Sequence, residues 1–91
     1  MEENIEYKEL FDKIPELKGD LEAIAKEVHD SWMRQRKKEG WSYGKRRCES
    51  RKKTPRMVDY EELPESEKEV DRATALETVS ALLKFGYTVR R

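Results

Sequence analysis

The sequence predicts a mainly α domain: two amphipathic helices, a short N-terminal helix, a long ordered loop and one or two short β-strands. Three observations predict it. Apolar residues recur at three- and four-residue spacing over two long stretches. A glycine follows each stretch, Gly40 and Gly86, where a helix C-cap needs one. Between them residues 40–62 lose the helical period but keep large apolar side chains, so this connection is an ordered loop and not a bare linker.

The elements follow in order. Ile5, Tyr7, Leu10, Phe11 and Ile14 fit a short helix that Pro15 interrupts, because proline lacks the donor N–H and clashes with the preceding turn. Asp20, after Gly19, is the expected N-cap of the next helix, which carries Leu21, Ile24, Ala25, Val28 and Trp32 as its apolar stripe. Arg34, Arg36, Lys37 and Lys38 sit near its end, where the helix dipole favours cations. In the loop, Thr54-Pro55, Met57-Val58 and Tyr60 suggest brief strands. Pro64 and the acids Glu65, Glu67 and Glu69 open the last helix, with Val70, Ala73, Leu76, Val79, Leu82 and Leu83 as its expected stripe. Tyr87-Thr88-Val89 could add a strand paired near Met57. Residues 1–18 read as an N-terminal extension and 19–91 as the domain proper.

Composition narrows the functional classes. Charged residues are 44% of the 91 and hydrophobic ones 35%, which allows a single domain with a thin core. No apolar run approaches the roughly 20 residues of a spanning helix, and Met1-Glu2-Glu3-Asn4 has the wrong charge for a signal peptide. Cys48 is the one cysteine, so no internal disulfide forms, which suits a cytoplasmic setting. One Cys and one His do not make a structural zinc site. No Walker or Rossmann glycine loop is present, and no cofactor is expected.

A net charge of zero hides a basic band. Residues 31–60 carry eleven bases and three acids, flanked by residues 1–30 with four bases and ten acids and residues 61–91 with five bases and seven acids. Such a band attracts phosphates, or it is a solvated face that pairs with its acidic neighbours. Inside it lies Gly40-Trp41-Ser42-Tyr43-Gly44, two aromatics in a glycine-flanked turn. Trp41 and Tyr43 either stack on a ligand ring or tuck under the core. Both readings stay open.

Val28-His29-Asp30-Ser31-Trp32 and Gly40-Trp41-Ser42-Tyr43-Gly44, followed by Arg47, Lys52, Pro55, Met57-Val58 and Tyr60, resemble the ryanodine receptor repeat domain, the RyR domain. The likeness continues through Leu63-Pro64-Glu65-Ser66-Glu67-Lys68, Asp71-Arg72, Ala75, Glu77-Thr78 and Gly86-Tyr87. Cys48, Thr54 and Asp59 depart from a family pattern that usually has Asp, His and Pro there. The resemblance implies two antiparallel helices with short strands, no enzymatic activity, and a stand-alone member of the prokaryotic type. In the calcium-release channels the module occurs as tandem cytoplasmic pairs, one of which holds an adenine nucleotide.

The expected function is therefore a noncatalytic binding module for an adenine-type nucleotide or another anionic small molecule. The alternative is a protein-interaction module, with a homodimer resembling the tandem pair. Candidate ligand-binding residues are Trp41 and Tyr43 for stacking, Arg47, Lys52 and Arg72 for anions, and His29 as a polar contact beside the stripe. The structural counterparts are Trp32 and His29 as core residues, Arg47 paired with Asp71 or Glu77, and Arg72 fixing the loop. A Cys48–His29 nucleophile is disfavoured because the family pattern has an acid at the cysteine. Nonspecific nucleic-acid binding is disfavoured by the neighbouring acids.

Overall fold

The computed structural model describes residues 5–91; Met1-Glu2-Glu3-Asn4 and the side chains of Ile5 and Glu6 lie outside the described residues. The order is α1 (Ile5–Lys13), α2 (Pro15–Lys38), β1 (Ser42–Tyr43), β2 (Lys53–Thr54), a 3-10 turn (Tyr60–Glu62) and α3 (Glu65–Lys84). The mainly helical class, the short first helix and the presence of two brief strands in the loop agree with the sequence reading, but Met57-Val58 form no strand and Tyr60 opens the 3-10 turn.

Pro15 decides where α1 stops. Ile14, the residue before it, is pushed out of the helical region to φ −130°, ψ 80°, and Pro15 then opens α2 in its first turn. This corrects the expected N-cap at Asp20, since α2 runs without a break through Gly19-Asp20. The reason is tertiary. Leu10, Ile14 and Leu17 bury together with Leu76 where the three helices meet, with Phe11, Leu21, Ile24, Val79 and Leu83 packed around them. Each such side chain contributes about 1.5–3 kcal/mol, which outweighs the roughly 1 kcal/mol cost of one glycine inside the helix.

The stripes are also rotated from the expected ones. On α2, Ala25 and His29 are the fully buried positions, while Val28 and Trp32 are half-buried. On α3, Asp71, Ala75 and Leu76 face inward, whereas Val70 and Leu82 are exposed. Two polar residues, His29 and Asp71, thus take the places that the hydrophobic pattern gave to Val28 and Val70.

The loop is pinned by a small sheet. β1 and β2 pair in parallel, Ser42 opposite Lys53 and Tyr43 opposite Thr54, and Cys48 makes an isolated antiparallel bridge to Lys53. Gly44 is required here by close approach, because a Cβ on it would lie 2.7 Å from the Cβ of Lys53. Tyr60 and Leu63 then bury against Ala25, with Val58 beside them. The expected strand at residues 87–89 is absent; Val89 packs as a side chain on the three-helix core instead. No helix among the described residues is long and apolar enough to cross a membrane.

Candidate functional site

The end of α2 builds the most distinctive concavity. Gly40, at φ +96°, takes the left-handed conformation that ends the helix, and the N–H of Gly40 donates to Lys37 O while that of Trp41 donates to Arg36 O. These two bonds form a Schellman cap, which sets the residue after the glycine against the last full turn. Trp41 is thereby placed beside Arg36. Lys52 completes the cap: its Nζ donates to Glu39 O at 2.6 Å, from a residue itself held at φ +55°.

The second wall comes from the far end of the loop. Thr54, almost fully buried, accepts at Oγ1 from the backbone N–H of Arg56, turning the chain so that Arg56 lies over the ring of Trp32, 4.5 Å from its centroid. Arg47 lies over Trp41 at 5.0 Å. Trp32, Arg36, Trp41, Arg47 and Arg56 line a cavity of about 250 Å³. Each guanidinium is also held by a carboxylate. Arg36 pairs with Glu39 at 3.2 Å, Arg47 with Glu49 at 2.8 Å, and Arg56 with Glu67 at 2.9 Å and Asp71 at 3.9 Å.

Behind Trp32 sits a buried polar pair. The His29 ring stacks on Trp32 at 5.7 Å, and its Nε2 donates to Val58 O at 2.6 Å. A carbonyl only accepts, so Nε2 carries the proton. His29 Nδ1 then faces Asp71 Oδ2 at 3.7 Å. Burial pushes the Asp71 carboxyl up, with His29 and Arg56 opposing that shift. The circuit His29–Trp32–Arg56–Asp71 closes on itself and braces one wall of the cavity.

Of the residues nominated from sequence, Trp41 and Arg47 meet at this cavity. His29 lies behind it, fully buried and bonded to the loop backbone. Lys52 is committed to the helix cap. Tyr43 is 51% exposed on β1. Arg72 sits in a different cluster, where it donates to Glu22, Glu65 and Glu69, and Tyr60 donates to Glu22 at 2.8 Å. The Arg72 guanidinium, and after it the Tyr60 hydroxyl, hold Glu22 below the usual carboxylate range, while burial pushes the Tyr60 hydroxyl up to about 12. That cluster ties α2 to α3. Arg47 pairs with Glu49 rather than with Asp71 or Glu77; Arg56 reaches Asp71, and Glu77 accepts from Tyr7.

The sequence reading missed three lining residues. Trp32 reads as stripe, Arg36 as one of four bases at a helix end, and Arg56 as one base in an aperiodic loop. The available signal was spacing: His29, Trp32 and Arg36 lie on one face of α2. Cys48 is half-buried, and hydrogen bonding from Ser50 pulls its thiol down.

A family model, the RyR domain, matches residues 12–91, and the chain belongs to that family.

Proposed function

From membership of the RyR domain family, we propose that this protein is a noncatalytic binding module that takes an anionic small molecule at the cavity beside the α2 cap. The carrying observation is the lining itself, two indoles and three guanidiniums around about 250 Å³. Arginine's planar donor array suits oxyanions, and the flanking indoles supply a low-dielectric wall that strengthens such contacts. Adenine-type nucleotides are the first ligands to test. Calorimetric titration with ATP at low salt tests the reading, alongside the Arg36→Gln/Arg47→Gln double variant. Saturable binding that the double variant loses supports it; no binding at millimolar ATP refutes it.

A second reading, self-assembly, has its own observation. The outer face of α3 exposes Val70 and Leu82, with Phe85 exposed at its C-cap, and the hydroxyls of Thr74 and Thr78 bond back to the carbonyls of Val70 and Thr74. Their hydroxyls are thus satisfied within the helix, leaving a face more apolar than its sequence suggests. Light scattering across a hundredfold range of about 10 µM to 1 mM protein, where weak interfaces associate, distinguishes a dimer from a monomer.

A further inference from the structure

The cavity contains a choice between two kinds of recognition, a flat ring held by the indoles or an oxyanion held by the arginines. Three observations favour the oxyanion. First, the indoles are already engaged. Arg56 lies over Trp32, which also stacks with His29, and Arg47 lies over Trp41. A guanidinium over an aromatic face still has N–H groups to offer an acceptor. A base has to displace an arginine to use the same face of either indole.

Second, donors remain to be satisfied. Each guanidinium has five N–H groups, and one carboxylate uses two at most. Arg36 Nε is buried and makes no hydrogen bond among the described residues. The carboxylates of Glu39, Glu49 and Glu67 already hold one side of each arginine. A singly charged ligand adds little against that competition, whereas an oxyanion with several charges and many acceptor oxygens can bridge two or three guanidiniums at once.

Third, the size is limiting. At about 250 Å³ the cavity is smaller than the roughly 300–1,000 Å³ of sites that enclose drug-sized ligands, so a compact oxyanion suits it better than a whole nucleotide.

We propose that this pocket recognises a diphosphate group, or another compact oxyanion with two or more charges, and makes no specific contact with a base. The proposal rests on the anionic-ligand reading and narrows it. A nucleotide then binds through its phosphates with the nucleoside outside, and inorganic pyrophosphate is an equivalent ligand.

The test titrates the full chain with inorganic pyrophosphate, ADP, ATP, orthophosphate and adenosine at low salt, following tryptophan fluorescence and heat. Pyrophosphate, ADP and ATP are expected to bind within about threefold of one another, and orthophosphate about tenfold more weakly, the difference one charge-assisted contact makes. Adenosine is expected not to bind at millimolar concentration. Arg47→Gln, whose side chain is half-exposed and whose fold is checked by circular dichroism, should weaken pyrophosphate by about tenfold. If ATP binds while pyrophosphate and adenosine do not, the proposal fails and the broader anionic-ligand reading survives; if adenosine binds while pyrophosphate does not, both fail. If nothing in the series binds, both fail.

Discussion

Replacing His29 by alanine is the most demanding test of how this site is held together. The side chain is completely buried, stacks on Trp32 and donates 2.6 Å to Val58 O, the anchor of the loop after β2. Truncation removes a ring from a packed interior, which costs about 3–5 kcal/mol for large aromatic side chains and less for the smaller imidazole. It also leaves a loop carbonyl without its donor, at about 1–3 kcal/mol when that group stays dry. These contributions overlap as the site relaxes, giving an expected loss of about 3–4 kcal/mol. Proteins have a total stability of about 5–15 kcal/mol, so His29→Ala should remove a large fraction of it. Urea denaturation followed by circular dichroism measures the loss directly. His29→Gln, which can still donate to Val58 O, should recover about half of it. A His29→Ala protein within about 1 kcal/mol of the parent would refute the reasoning, because the ring would then be neither packed nor anchoring the loop.

Gly40→Ala forces a Cβ onto a residue at φ +96° and should cost about 1–2 kcal/mol, read as a melting temperature lower by about 4–8 °C per kcal/mol; an unchanged melting temperature contradicts the cap. Gly19→Ala should instead stabilise by about 0.5–1 kcal/mol, because Gly19 lies inside α2 and an added Cβ would meet nothing within 4 Å. Asp71 gives a pH test. Burial raises its carboxyl, so the folded state favours the neutral form, and the stability tied to that form is lost as pH rises from the ordinary carboxylate value through the raised one. The stability of Asp71→Asn relative to the parent should therefore increase from about pH 4 toward pH 7, and a relative stability that falls or stays flat over that range rules this out. Glu22 has the opposite sign. Its lowered value contributes stability above the ordinary carboxylate range that is lost as pH falls through the folded value, so Arg72→Gln should flatten the acid limb of a denaturation profile. An acid limb as steep as the parent's would refute that assignment.

Local signals in the chain were read correctly. Gly40 after a basic helix end and Gly86 after an apolar one mark C-caps, and both glycines have positive φ. Pro15 marks the α1–α2 break for a covalent reason, its missing N–H and its effect on Ile14. Trp41 could be placed at a shaped turn because the Schellman geometry involves only its near neighbours in sequence. Where non-local packing decides, the pattern misleads. Gly19-Asp20 looks like a helix start, yet Leu17 already belongs to the core made with Leu10 and Leu76.

By itself, then, the sequence determined the family, the helical class and the cap that creates the cavity, since each depends on residue types at short or fixed separations. Only the tertiary structure decided which of eleven bases in residues 31–60 line that cavity. Arg36, Arg47 and Arg56 are chemically alike and differ in which partners the fold brings to them. Glu67 and Asp71 come from α3, and Trp32 from α2. An arginine's role is set by the charges and rings within a few ångströms, and for Arg56 those lie between eleven and twenty-four residues away along the chain.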